Sequence, residues 1–162
     1  MKTLYMVRHA KSSWEFDVID HKRPLKERGK NDATLVSQYV VNHFKRPDHI
    51  ATSDAERALA TAHYFQEVFK VEGAHFEITH NLYDFCGHKV METVKGLPDD
   101  CDTVMIVGHN HAFTSIANML GNKYIDNVPT CGFVQIEFGE NQWGNITTGK
   151  TIATVFPRDL KK

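Results

Sequence analysis

No two of the three cysteines, Cys86, Cys101 and Cys131, stand close enough to make a CxxC pair. Their spacing supplies neither a zinc-ligand set nor a disulfide framework, and a chain of this kind is expected in a reducing cytosol. An excess of charge of one sign is equally missing. The 19 basic and 20 acidic residues leave a net charge of −1, which argues against a general nucleic-acid or membrane-surface binder and still permits a local basic site. No apolar run approaches the roughly 20 residues of a membrane-spanning helix, and the run near the N-terminus is too short for a signal-peptide core. Internal repeats, low-complexity tracts and linkers are also missing. With 162 residues, 41% of them apolar and 24% charged, the chain is long enough for one sizeable core and too short for two comfortable domains.

Strands alternate with helices along most of the length. Thr3 to Val7 reads as a buried strand, followed by a loop over residues 8–24. From about Leu25 the apolar residues recur at helical spacing, with Val36, Val40 and Phe44 on one stripe. His49 to Thr52 makes a short strand. Ser53-Asp54-Ala55-Glu56 has the S-x-x-E spacing of a capping box, so a helix with Ser53 as N-cap is expected there. Ala58, Ala62, Phe65 and Phe69 line its inner face. Phe76 to Thr79 is a strand, Val90, Val94 and Leu97 mark a helix, and Thr103 to Val107 is a buried strand leading to a helix with Phe113, Ile116, Ala117 and Leu120. Phe133 to Phe138 and Lys150 to Phe156 form two strands joined by a turn rich in Gly and Asn. The expected fold is α/β: a mostly parallel central sheet with helices on both faces and a C-terminal antiparallel hairpin at one edge.

Polar clusters fall at equivalent places on this plan. Arg8-His9 follows the first strand, Arg57 the second, and His109 the strand at 103–107. In an open α/β sheet, ligands collect at the carboxyl ends of the strands. Two of the clusters sit at helix N-termini, which favour anions. Arginine presents a planar fork of donors that matches phosphate oxygens. The set describes a phosphate pocket holding a histidine able to attack phosphorus. The bland alternative is a set of strands that end in polar surface residues.

The motifs go further. Leu4-Tyr5-Met6-Val7-Arg8-His9-Ala10-Lys11, with Ala10 where glycine is usual, resembles the first motif of the histidine phosphatase superfamily, the phosphoglycerate-mutase-like or Arg-His-Gly family. Arg23-Pro24-Leu25 with Arg28-Gly29 is similar to the short loop of its small SixA-type phosphohistidine phosphatases. Thr52 to Ala58 with Thr61-Ala62 resembles the second arginine motif. Val107-Gly108-His109-Asn110 resembles the second histidine motif, continuing here His111-Ala112 rather than Pro-Gly. Pro129-Thr130-Cys131-Gly132 also recurs in such relatives. The matches run in order from near residue 3 to 157, and imply one histidine-phosphatase domain over 1–162 without a large cap insertion.

That resemblance implies a metal-independent phosphatase with His9 as the nucleophile that becomes a phosphohistidine. It implies that Arg8, Arg57 and His109 clamp the phosphoryl oxygens and that Arg23 joins them, with no cofactor and no metal. Asp84 lies in the loop where larger members place an acidic proton donor; it is that donor or a solvated loop acid. Lys11, Ser12 and Ser13 either touch phosphate or sit on the surface, and Trp14 either walls the pocket or packs on its loop. His109-Asn110-His111 spells the letters of a nuclease motif without the surrounding metal-ligand context. The remaining histidines, His21 and His80 among them, read as surface or core residues whose spacing carries no metal signal. The expected substrate is phosphohistidine in a protein, since a chain without a cap leaves its pocket open. Small phosphorylated metabolites are the alternative, and a non-catalytic phosphate-binding module is the rival from another class. A cytoplasmic monomer is expected.

Overall fold

The apolar run Leu4–Val7 forms the middle of a strand that is central to the whole molecule. In the computed structural model, which describes residues 1–161, six strands make one sheet: β1 (Lys2–Arg8), β2 (His49–Ser53), β3 (Phe76–Thr79), β4 (Thr103–Gly108), β5 (Phe133–Phe138) and β6 (Lys150–Val155). Their order is β3-β2-β4-β1-β5-β6. The pairs β3–β2, β2–β4 and β4–β1 are parallel, while β5 runs antiparallel to β1 and β6 antiparallel to β5. The α/β sheet with its C-terminal hairpin at one edge is therefore as expected.

Alternation along β1 and β4 explains the helices on both faces. Leu4, Met6, Val104 and Ile106 point to one side, where α3 (His88–Lys95) and α4 (Ala112–Leu120) cover them with Val90, Val94, Phe113, Ile116 and Leu120. Tyr5, Val7, Met105 and Val107 point to the other, beneath α1 (Glu27–His43) and α2 (Glu56–Phe69), which contribute Val36, Val40, Ala58, Ala62 and Phe65. These residues are almost wholly buried, and each such Val, Leu, Ile or Phe side chain contributes about 1.5–3 kcal/mol. A short α5 (Pro157–Leu160) closes the chain. Among the described residues no helix is long and apolar enough to cross a membrane.

Two local expectations change. Helix α1 begins at Glu27, because Leu25 instead bridges to Ser12, and flanking bonds from Ser13 N to Pro24 O and from Lys26 N to Lys11 O lace the two stretches together. Gly29 makes this approach possible, since a Cβ there would stand 2.1 Å from the carbonyl oxygen of Lys11. Ser53 is not the N-cap of α2. It is the last residue of β2, in register with Thr79, and Ala55 takes the N-cap position without a side-chain bond. The Ser53 hydroxyl is already engaged, accepting from Ala55 N at 3.1 Å and lying 2.9 Å from His109 Nε2.

Candidate active site

Strand register brings the polar clusters together. Arg8 stands opposite Gly108, and Thr52 opposite Val107, so β1, β2 and β4 end along one edge. His9 follows β1 and is pinned by its own backbone: its N–H donates to Gly108 O (3.0 Å) and its carbonyl accepts from Cys131 N (3.0 Å). Cys131 N also bonds Arg8 O, and Arg8 N donates to Gly132 O. The Pro129–Gly132 segment thus braces the strand end, with Cys131 in the left-handed region at φ 58°. Gly108 has no room for a side chain, because a Cβ would meet the Phe113 ring at 2.7 Å. Thr61 holds the other side, accepting from Ala10 N at 2.9 Å while donating to Arg57 O at 2.8 Å.

The His9 ring is oriented by one bond. Its Nδ1 lies 2.7 Å from Ala10 O, and a carbonyl can only accept, so Nδ1 carries the proton and Nε2 presents its lone pair. Arg57 Nε donates to that Nε2 at 3.4 Å. The His109 ring is 5.2 Å from the His9 ring, between centroids. The Ser53 hydroxyl, which accepts from Ala55 N, lies 2.9 Å from His109 Nε2. His109 Nδ1 and Arg8 Nε are both buried without a hydrogen-bond partner.

Arg23 and Arg57 converge on a residue absent from the candidate set drawn from the sequence. Asp20 accepts from Arg57 Nη2 at 2.9 Å (Oδ2), from Arg23 Nε at 3.2 Å (Oδ1) and from the Tyr83 hydroxyl at 2.6 Å (Oδ2), while its carbonyl accepts from Arg57 Nη1 at 2.7 Å. Partial burial pushes the Asp20 carboxyl up, but the bonds from Tyr83 and Arg57 outweigh it and hold it at about 2. Arg23 is buried, bonds Ser12 Oγ at 2.8 Å and lies 3.5 Å from the ring centre of the exposed Trp14.

Arg8, His9, Asp20, Arg23 and Arg57 line a pocket of about 230 Å³ together with Lys11, Ser12, Trp14, Phe85, Asn110 and Thr130, and the predicted site residue His109 is not part of its lining. The Phe85 ring packs 5.0 Å from that of His109. Ser13 Oγ accepts from Glu15 N and its carbonyl from Arg23 Nη1 at 3.4 Å, and the exposed His111 is the N-cap of α4. Asp84 is placed elsewhere. Its carboxylate accepts the backbone N–H groups of Cys86, Gly87, Lys89 and Val90 at 3.0–3.1 Å, closing the first turn of α3. Burial acts upward on this carboxyl, and the four N–H bonds together hold it below the usual carboxylate range. A larger groove of about 510 Å³, between the Lys123–Asn127 segment and β6, contains none of these residues.

Burial is also the largest influence on the two histidines. It pushes His9 down to about 3, with the positive charges of Arg57, Arg8 and Arg23 acting in the same direction against the bond to Ala10. It pushes His109 down to about 2, aided by His9 and Arg57. Both are therefore neutral at working pH. Since unfolded imidazoles take up protons below about pH 6.5, the unfolded state binds more protons there and stability must fall as the pH drops. Urea unfolding of the wild type should lose up to about 1.4 kcal/mol per pH unit for each histidine below pH 6.5. The decline between pH 6.5 and 4.5 should be shallower in His9→Ala. Equal slopes would mean that His9 is charged in the folded protein.

The family model of the histidine phosphatase superfamily (branch 1) matches residues 4–87, a span that carries Arg8, His9, Arg23 and Arg57. An uncharacterized chloroplastic protein of Arabidopsis thaliana is 30% identical over 153 residues, covering 88% of this chain and 69% of that protein. Among solved structures, the fold is similar to that of the SixA protein of Agrobacterium tumefaciens, with a TM-score of 0.81 and 23% identity over 96% of this chain and 98% of that one. It is also similar to a protein histidine phosphatase SixA complexed with tungstate, with a TM-score of 0.82 and 15% identity over 98% and 99%.

Proposed function

The chain belongs to the histidine phosphatase superfamily and is a phosphatase, and from that premise we propose that it hydrolyses phosphohistidine carried on a protein, through a phosphoryl group held transiently on His9. The lone pair of His9 Nε2 attacks phosphorus while the P–N bond to the substrate imidazole breaks, and the substrate ring, already protonated on its other nitrogen, departs as neutral imidazole with the electron pair of that bond. Water then attacks phosphorus, the bond to His9 breaks, and inorganic phosphate leaves with His9 restored. Arg8 and Arg57 neutralise the phosphoryl oxygens throughout, and the neutral His109 hydrogen-bonds to them. In phosphoryl transfer, positioning and charge stabilisation supply most of the rate, and the reading gives no step to a metal.

One observation carries the choice of substrate. Asp20 is the only carboxyl among the residues that line the pocket, and it is held ionised by Tyr83 and the two arginines. An alkoxide leaving group needs a positioned acid, worth about 10²–10⁴-fold. A phosphohistidine ring protonated on its other nitrogen leaves as neutral imidazole, far less basic than an alkoxide, and departs without one. The rim agrees with a protein partner: Trp14, Phe16, Val18, Ile19 and Phe85 are exposed on the loops that carry Asp20 and Asp84, and apolar side chains gathered at a site mark a surface for protein contact.

The test compares a phosphohistidine-bearing phosphotransfer domain with a simple alkyl phosphate, in wild type and Asp84→Asn. Phosphohistidine should be the faster substrate, both rates should survive the substitution, and excess chelator should not diminish turnover. Asp84→Ala should lower stability by about 0.5–2 kcal/mol, as for loss of a helix cap. A faster alkyl phosphate activity that disappears in Asp84→Asn would overturn the substrate class and make Asp84 a general acid.

A further inference from the structure

Beside the pocket, three segments distant in sequence bring two imidazoles onto one carboxylate. His21 lies in the turn Asp20–Lys22, Asp54 directly follows β2, and His80 opens the turn His80–Leu82. His21 Nε2 is 3.0 Å from Asp54 Oδ1, and His80 Nδ1 is 3.0 and 3.2 Å from the two carboxylate oxygens. All three ligand atoms lie within 4.8 Å of one another, the one group of three of this kind among the described residues. A tetrahedral zinc site with metal–ligand distances of about 2.0–2.1 Å sets its ligand atoms about 3.3–3.4 Å apart, so small rotations suffice to admit an ion. Two imidazoles and a carboxylate suit zinc and its neighbours rather than magnesium or calcium. The site is partly open, with His80 exposed on its outer side, which leaves the fourth position to water.

We propose that His21, Asp54 and His80 bind a zinc-class divalent cation at the rim of the pocket, and that its binding locks the Asp20 loop onto Arg57. The link to the pocket runs through short stretches of chain. Asp20 precedes His21, Asp54 precedes Arg57 by three residues, and Tyr83, which donates to Asp20 Oδ2, follows His80 by three. The Tyr83 ring also packs against both imidazoles, 5.0 Å from His21 and 5.4 Å from His80. A cation that ties His21 to Asp54 and His80 closes this triangle and holds Asp20 on the Nη1 and Nη2 donors of Arg57. Those donors are then less free to meet a phosphoryl group. The ion is a brake on substrate binding and takes no part in the chemistry.

Titration of the metal-free full chain with zinc chloride, followed by calorimetry, should show one site. His80→Ala should weaken it by at least the roughly 10–100-fold that even outer-shell partners of a metal are worth, with metal-free turnover unchanged. In wild type, zinc should raise KM for an aryl phosphate, chelator should restore it, and His80→Ala should lose the effect. The binding arm stands apart from the phosphatase reading, and only the KM arm rests on it. No zinc uptake, or equal uptake by His80→Ala, would overturn the site. Binding with no change in KM would overturn the brake, and inhibition that persists in His80→Ala would place the ion on His9 and His109 instead.

Discussion

Replacing His9 by Ala should remove turnover by at least about 10⁴-fold, the scale seen when a nucleophile is deleted from an otherwise intact site, and leave the fold standing. The expectation follows from how His9 is held. Its position depends on backbone bonds to Gly108 and Cys131, which alanine keeps, whereas the core beneath is made by Val7 and Val107. Only the Nε2 lone pair, aimed by the bond from Nδ1 to Ala10 O, is lost. Rapid quenching of the wild type during turnover should trap one phosphoryl group on His9 that is labile in acid and stable in base. Near-normal turnover in a folded His9→Ala protein, or a trapped phosphate on another residue, would refute the covalent route.

Arg8, His9 and His109 could be placed at one sheet edge from sequence because each follows an apolar run whose length marks a buried parallel strand. Once the strands are known, their carboxyl ends must meet, and the register of Arg8 with Gly108 is the realised form of that rule. Asp20 escaped for the opposite reason. Its partners Arg57 and Tyr83 lie 37 and 63 residues away, and no local pattern distinguishes it from any loop acid. Ser53 misled because S-x-x-E is a local signal, and here the serine is claimed by β2 and by His109, 56 residues on. Asp84 could have been anticipated. An aspartate whose side chain bonds the backbone two residues on is a common turn device, and Asp84-Phe85-Cys86-Gly87 stands directly before an apolar helical pattern. Only the folded chain shows four N–H groups converging on its carboxylate.

Arg57 should have the second largest effect. It is 2% exposed, and its three kinds of donor reach His9 Nε2, the Asp20 carbonyl and the Asp20 carboxylate. Arg57→Ala should therefore cost about 10²–10³-fold in kcat/KM, as for removal of one preorganised donor that stabilises the transition state, and should weaken inhibition by inorganic phosphate. Some stability must go as well, since Asp20 loses a partner and a buried side chain leaves a cavity. Circular dichroism will show whether the fold survives. Two further measurements separate a clamp from a scaffold. Arg57→Lys keeps the charge but cannot present a fork to two oxygens, so it should recover only part of the rate. Guanidinium ion added to Arg57→Ala should enter the space left by the side chain and recover some activity, which a merely structural arginine would not allow. A folded Arg57→Ala protein within about tenfold of wild type, a deficit well short of that donor scale, would remove Arg57 from the phosphoryl clamp and leave Arg8 and His109 to hold the oxygens.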